Sequence, residues 1–233
     1  MIFIKKYFQI FYNIFFHPHS TIRYYLFNKF NYDNYFKNKF KEKYHILNYF
    51  IKKKFKDKLY PPQYHDLDNL INVINKIKPK LVLELGGGYS TIAIAFALSQ
   101  NLKKFKIKGK LFSYDQSEEY LEITRQILPD NLKDFVQFKF SKLKEKKIEN
   151  VNVSLYEDLE IKEYDLVYED RFFLNSNYDI GGDVFLLYKK TGNLPSIVID
   201  GHLKTISFLK QKIGSYYNIN FSKIFKRANF IKR

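Results

Sequence analysis

The chain of 233 residues contains no cysteine and no tryptophan, and arginine occurs only at positions 23, 125, 171, 227 and 233. Without cysteine, the chain can form no disulfide, no thiolate zinc site and no cysteine nucleophile. That composition fits a reducing compartment, so we expect a cytoplasmic protein. Because base readout and bidentate phosphate clamps favour arginine, the scarcity of arginine weakens a nucleic-acid interpretation of the net charge of +16.

The sequence also lacks a long uninterrupted apolar run. Its first 20 residues are rich in aromatic and aliphatic side chains, but Lys5, Lys6, Gln9 and Asn13 interrupt them. The segment therefore falls short of the ~20 apolar residues that span a bilayer. It has no small-residue cleavage site either, so we do not expect a secretory signal.

Residues 1–60 form a basic, aromatic extension that carries most of the excess charge. They hold 13 Lys and Arg against three acids, which gives 13 − 3 = +10 of the +16. Aromatic and aliphatic residues recur at helical spacing, which predicts amphipathic helices. Such helices either lie on an anionic membrane surface or pack on the following domain with a solvated basic face, and the second interpretation is favoured. Pro61 and Pro62 end the extension, so the main domain is predicted to span 61–233.

After residue 80 the pattern alternates between apolar strands and helices. This alternation predicts an α/β domain whose sheet is mainly parallel and buried on both faces. The predicted strands cover 81–85, 109–115, 135–140, 164–170 and 195–200, with a terminal hairpin within 217–233. The predicted helices cover about 66–76, 91–100, 117–128, 183–191 and 203–215.

An acid stands at or near the end of four predicted strands: Glu84, Asp115, Asp170 and Asp200. Ligands of open α/β sheets bind beyond the carboxyl ends of the strands, so we expect these four side chains to converge on one site. A single acid at a strand end is a common helix cap, but acids at the ends of four strands of one sheet indicate a ligand site.

A run of three glycines, Gly86 to Gly88, follows the first strand. A dinucleotide fingerprint needs a third spaced glycine where this chain has Thr91, and the Gly-Lys pair of a phosphate-binding loop is missing. What remains is the pattern acid-x-Gly-x-Gly-x-Ser from Glu84 to Ser90. Glycines there let the backbone approach a ligand and adopt positive φ without steric cost.

This stretch resembles the first motif of class I S-adenosylmethionine-dependent methyltransferases. The resemblance implies a Rossmann-like, seven-stranded, mostly parallel sheet with a C-terminal antiparallel hairpin, here preceded by the helical extension. It also implies S-adenosyl-L-methionine as the cofactor, with Asp115 accepting hydrogen bonds from both ribose hydroxyls. The cofactor-binding residues that we expect are Glu84, Gly86, Gly87, Gly88, Ser90, Asp115 and Gln116.

Two later segments extend the resemblance and supply the candidate catalytic residues. "EYDLVYEDR" is similar to the fourth strand of the family, with Asp170 facing the methyl group, but Arg171 stands where a glycine is expected. "PSIVIDGH" is similar to the fifth strand, and His202 is the best-placed general base, with Asp170 as its rival. Asp200, together with Asp170 and His202, could instead hold a divalent metal, an alternative that is not favoured.

The resemblance therefore implies methyl transfer to a small-molecule or saccharide-precursor acceptor, at oxygen. Three alternatives stay open. A polyamine synthase shares the fold and the triple glycine but has Asp-Gly where this chain has Tyr89 and Ser90. A nucleic-acid methyltransferase would use the net positive charge, although we do not expect a nucleic-acid partner. A non-catalytic module of the same fold would contact the membrane through residues 1–60.

Overall fold

A seven-stranded, mostly parallel sheet forms the centre of the protein. The computed structural model describes residues 32–45, 47, 59–173 and 176–233. The strand order is β3-β2-β1-β6-β7-β9-β8, in which the β7–β9 and β9–β8 pairs are antiparallel and the other pairs are parallel. The strands of this sheet are β1 (Leu81–Leu85), β2 (Lys110–Asp115), β3 (Val136–Phe140), β6 (Leu166–Glu169), β7 (Ser196–Asp200), β8 (Tyr217–Ser222) and β9 (Arg227–Lys232). The predicted fold class is confirmed.

Six α-helices accompany the strands in the described part of the chain: α1 (Tyr32–Lys43), α2 (Tyr64–Ile77), α3 (Tyr89–Phe105), α4 (Glu118–Ile127), α5 (Asp183–Thr191) and α6 (Leu203–Ile213). The predicted start of α4 is confirmed, because the Ser117 side chain accepts a hydrogen bond from the backbone N–H of Tyr120 at 3.2 Å. A serine in this position satisfies an N–H that the helix cannot pair. Proline at 129 then prevents α4 from continuing.

The sheet is buried on both faces because its strands are apolar at nearly every position. Val82 on β1 joins the hydrophobic cluster formed with α2 and α3, whereas Leu83 and Leu85 join the cluster formed with α5 and α6. Successive side chains of a strand point to opposite faces, so one apolar run supplies both cores. The parallel register also aligns the strand ends: Leu85 pairs with Tyr114 on one side and with Glu169 on the other.

The described part of the N-terminal extension packs on the main domain. Phe40, Tyr44 and Leu47 are buried in the cluster that contains α2 and α3. The Lys43 ammonium donates hydrogen bonds to Asp68 and Asn72 on α2, at 2.8 and 2.9 Å. This contact agrees with the packing interpretation for these residues. The other predictions made for the extension fall on 1–31, 46 and 48–58, outside the described residues. The boundary at residue 60 and the membrane contact stay predictions.

A second, two-stranded sheet was missed in the sequence. It consists of β4 (Leu143–Ile148) and β5 (Val151–Tyr156), joined by a tight turn in which Glu149 and Asn150 have positive φ. Three lysines and a glutamate obscure the alternation in β4, and no glycine marks the turn. Within the described residues, no helix has both the length and the apolar character needed to cross a membrane.

Candidate cofactor and acceptor cavity

A cavity of about 830 Å³ lies over the carboxyl ends of β1, β2, β6 and β7. A volume of this size lies within the range of small-molecule and cofactor sites. The remaining wall comes from the segment before α2 and from α2 itself. The described lining residues are Leu59 to Gln63, Asp66, Leu67, Gly86 to Ser90, Asp115, Gln116, Ser117, Tyr120, Tyr168, Asp170, Arg171, Phe172, Asp200 and His202.

The glycine loop after β1 forms the floor of the cavity with bare backbone. Gly86 has φ +100°, and a Cβ placed there would lie 2.5 Å from the carbonyl oxygen of Asp170. Glycine is therefore required at position 86 for two reasons: the backbone has a positive φ, and the loop after β6 leaves no room for a side chain. Gly88 has φ +149°, and a Cβ there would meet no atom within 4 Å. The open space beside Gly88 leaves room for a ligand against the backbone.

Glu84 lies beneath this loop and is completely buried. Its carboxylate accepts hydrogen bonds from the hydroxyls of Ser90, Thr91 and Ser113, at 2.7, 2.6 and 2.6 Å. Burial raises the pKa of Glu84 to about 7, although the three hydroxyls oppose the shift. Glu84 does not line the cavity. Its contacts therefore hold the loop and the start of α3 in place, rather than reaching a ligand directly.

Asp115, at the end of β2, lines the cavity and joins two backbone segments. One carboxylate oxygen accepts the N–H of Gly87 at 3.0 Å, and the other accepts the N–H of Ser117 at 2.7 Å. Burial raises the pKa of Asp115, and these backbone hydrogen bonds counteract the rise. An ionised carboxylate offers about four acceptor positions, so about two stay available for donors in the cavity.

Gln116 lines the cavity as well, but its amide group is engaged by protein. The amide nitrogen donates to the carbonyl of Phe172 at 2.7 Å, and the amide oxygen accepts from the Tyr156 hydroxyl at 3.1 Å. Gln116 thus connects the end of β2 with the loop after β6. At the mouth, the exposed rings of Tyr60 and Phe172 lie nearly parallel, 6.4 Å apart.

The part of the cavity over the ends of β6 and β7 is lined by carboxyl groups. Asp170 and Asp200 were predicted to be there, whereas Asp66 was recognised only as part of a helix start. Burial, followed by the charges of Asp66 and Asp170, raises the pKa of Asp200 to about 9. Burial and then Asp66 also raise the pKa of Asp170, although 44% of its side chain faces the open cavity and solvent there limits the rise.

His202, the predicted general base, stands beside Asp170, its predicted rival. Its Nε2 lies 3.9 Å from the Asp170 carboxylate, and the Phe173 ring packs against the imidazole edge to face, 4.9 Å between centroids. Burial, followed by the charge of Arg171, lowers the pKa of His202 to about 4. The ring is therefore neutral near pH 7. Asp170 is the more exposed of the two, so it is the better placed to meet an acceptor.

Arg171 is a buried cation where the resemblance leads one to expect glycine. Its guanidinium donates to both carboxylate oxygens of Glu169, at 2.6 and 2.7 Å, and lies 2.5 Å from Asp183. Sequence reasoning identified the departure but not these partners, which come from separate elements. No group of three or more His, Asp or Glu side chains within the described ranges has an arrangement that could hold a metal ion.

No protein-family model and no curated protein matches the chain. Solved structures give distant matches. A methyltransferase from Podospora anserina with bound SAH is 15% identical with a TM-score of 0.49, covering 80% of this chain and 86% of that one. An O-methyltransferase from Bacillus cereus in complex with SAH is 16% identical with a TM-score of 0.49, covering 87% and 97%. A methyltransferase from Geobacter sulfurreducens is 13% identical with a TM-score of 0.48, covering 72% and 78%.

These likenesses are too distant to assign an activity to this chain. The fold is established by the protein's own strand order, by the C-terminal antiparallel pair and by the glycine loop at the tip of β1. The chain has a Rossmann-like fold with a seven-stranded, mostly parallel sheet, the fold that the resemblance implies.

Proposed function

We propose that the protein binds S-adenosyl-L-methionine in this cavity and transfers its methyl group to a hydroxyl of a small acceptor. One observation carries the proposal: bare glycine backbone and the Asp115 carboxylate, from neighbouring strand tips, line the same cavity. No described side chain fills the space beside Gly88. A nucleoside suits this combination, because the Asp115 carboxylate accepts hydroxyl donors and the bare glycine backbone admits the rest of the ligand.

The residues that would hold the cofactor follow from their positions. Asp115 would accept the ribose hydroxyls with its remaining acceptor positions, and the backbone of Gly86 to Gly88 would face the amino-acid moiety. Glu84 and Gln116 would act indirectly, by holding the loop and the end of β2. When bound, the cofactor supplies an electrophilic methyl group that needs only an aligned nucleophile.

The carboxyl-lined part of the cavity favours a neutral hydroxyl acceptor. No lysine lines the cavity in the part of the chain that the structure describes, and the guanidinium of Arg171 is already paired with Glu169 and Asp183. A phosphate or carboxylate acceptor would meet the carboxyl groups of Asp66, Asp170 and Asp200, and the guanidinium beside Asp66, that of Arg227, is already paired with that carboxylate. The basic surface of the chain thus does not extend into the proposed site.

Asp170 is the residue that we assign to remove the hydroxyl proton. It is exposed to the cavity, and its raised pKa makes it a stronger base than an ordinary carboxylate. Tyr168 donates a hydrogen bond to it at 3.3 Å and limits its rotation. His202 is neutral and its pKa is lowered, so it is a weaker proton acceptor than Asp170; the exposed Asp170 carboxyl passes the proton on to solvent.

Calorimetry with S-adenosylmethionine and S-adenosylhomocysteine tests the proposal, with NAD and ATP as comparison ligands. We expect saturable 1:1 binding of the first two and none of the others. Binding of NAD alone, or of no nucleoside, would refute it. A panel of alcohols, carboxylic acids and phosphorylated sugars then tests the acceptor class. Methylation restricted to anionic acceptors would contradict the assignment of a neutral hydroxyl.

A further inference from the structure

Arg171 follows the carboxyl end of β6, over which the cavity lies. Its side chain is nevertheless the largest fully buried side chain among the described residues. Arg171 is among the lining residues of the cavity, but its guanidinium is fully buried and contacts β6, β5 and α5 together. Besides Glu169 and Asp183, it donates to the backbone carbonyl of Ser154 at 3.3 Å. A guanidinium with several fixed donors is suited to join separate elements in one geometry.

Two aromatic rings pack on this guanidinium. Its central carbon lies 4.8 Å from the centroid of Tyr156 and 5.8 Å from that of Phe173. Cation–π contacts at such distances are favourable, more so when water is excluded. Phe173 in turn packs edge to face on His202, whereas the hydroxyl of Tyr156 holds Gln116. The guanidinium is therefore connected to His202 through Phe173, and to Gln116 at the end of β2 through Tyr156.

We propose that Arg171 is a positioning residue for both halves of the site: it orients His202 through Phe173, and Gln116 through Tyr156. The inference rests on the proposed function for its catalytic meaning. The orientation of the two side chains is a property of the apoprotein and can be measured without cofactor or acceptor.

Replacing Arg171 by an uncharged residue could unfold the protein, because the guanidinium neutralises buried carboxylates. Removing the guanidinium leaves the carboxylates of Glu169 and Asp183 buried without a cationic partner, which is strongly destabilising. Arg171→Lys keeps the charge but loses the planar fork. Two further variants interrupt one path each and leave the charges intact: Phe173→Leu for the path to His202, and Tyr156→Phe for the path to Gln116.

The matched control is Arg125→Lys. Arg125 also pairs with a carboxylate, Glu122, and lies 5.2 Å from an aromatic centroid, that of Phe138, but it is half exposed on α4 and does not line the cavity. It therefore reproduces the chemical change of Arg171→Lys away from the site. Urea unfolding of every variant reports whether the fold is retained.

The first readout is the NMR titration of His202, assigned by its loss in His202→Ala. The charged groups that act on this ring are Asp170 and Arg171 at the end of β6 and Asp179 in the loop before α5. Asp179 is itself paired with Lys204 on α6. Phe173→Leu should admit water to the imidazole and move its titration upward, from about 4 toward the ordinary value of about 6.5. Tyr156→Phe should leave it unchanged.

The second readout is the pair of side-chain amide resonances of Gln116. Tyr156→Phe should shift them, Phe173→Leu should not, and Arg171→Lys should change both readouts while Arg125→Lys changes neither. The proposal is overturned if Phe173→Leu leaves the His202 titration in place or if Tyr156→Phe leaves the Gln116 amide in place. It is also overturned if a folded Arg171→Lys behaves like Arg125→Lys. If Arg171→Lys unfolds, the results for Phe173→Leu and Tyr156→Phe decide whether the proposal stands.

Activity then separates this proposal from the proposed function. In an active enzyme, Phe173→Leu should lower turnover and leave S-adenosylhomocysteine affinity unchanged, whereas Tyr156→Phe should weaken that affinity. If wild type binds no S-adenosylhomocysteine, the methyltransferase proposal fails. The two resonance readouts would still decide whether Arg171 positions these side chains.

Discussion

Asp115 accepts the backbone N–H of Gly87 at 3.0 Å, so the carboxylate at the end of β2 holds the glycine loop that follows β1. The same carboxylate accepts the N–H of Ser117 at the start of α4. One side chain thereby shapes the loop and faces the cavity. A change at Asp115 should consequently affect both the loop and the ligand.

Asp115→Ala should weaken binding of S-adenosylhomocysteine at least tenfold, since a hydrogen bond to a charged group contributes about 1.5–3 kcal/mol. Asp115→Asn keeps one acceptor oxygen and should lose less. Isothermal titration calorimetry measures both. Asp130→Ala is the control, because Asp130 is an exposed carboxylate paired with Lys133 at the surface. Equal affinity for wild type and Asp115→Ala would remove Asp115 from the binding site.

Asp170→Asn should lower turnover by roughly 10²- to 10⁴-fold, the usual contribution of a general base. His202→Ala should lower turnover less, and should leave cofactor affinity nearly intact. His45→Ala, a change at an exposed histidine, is the control. Single-turnover rates with calorimetry on the same samples separate the chemical step from binding.

The pH dependence of turnover distinguishes the two bases. With Asp170 as the base, the rate should rise with pH through its raised pKa, and this rise should disappear in Asp170→Asn. With His202 as the base, the rise should lie near pH 4, because burial lowers the pKa of that ring. A profile that is flat from pH 5 to 9 would therefore count against Asp170.

Gly86→Ala should be more destabilising than a substitution that only strains the backbone. The added Cβ would lie 2.5 Å from the Asp170 carbonyl oxygen, and overpacking of this kind costs about 1–3 kcal/mol. Gly192→Ala is the matched control: Gly192 has φ +70° at the end of α5, and a Cβ there would meet nothing within 4 Å. Urea unfolding compares them. Equal losses would mean that the loop can move away from Asp170.

Glu84→Gln should flatten the dependence of stability on pH. Burial raises the pKa of Glu84 from 4.5 to about 7 in the folded protein. Between these values the folded state binds more protons than the unfolded chain, so stability falls as pH rises. The difference amounts to about 3 kcal/mol by pH 7. Unfolding free energies at pH 5 and pH 7.5 measure it. A wild-type slope that Glu84→Gln does not reduce would contradict the raised pKa.

Local patterns were sufficient for most of the fold. The apolar strands, the serine cap of α4 and the terminal hairpin each depend on residues that are close in sequence, and all were predicted. The β4–β5 hairpin was not, because lysines dominate β4 and its turn uses Glu149 and Asn150 instead of glycine. Asp66 was missed as a lining residue for a different reason: its position in the cavity depends on how α2 docks, which no local pattern records.

The sequence by itself determined the parallel sheet, the glycine loop and the acids at the strand ends, because strand periodicity and backbone freedom are local properties. Only the tertiary structure decided what each acid does. Glu84 turned beneath the loop toward three hydroxyls, Asp115 toward the cavity, and Glu169 toward the buried Arg171. These outcomes depend on burial and on partners contributed by distant segments, and those exist only once the elements are packed together.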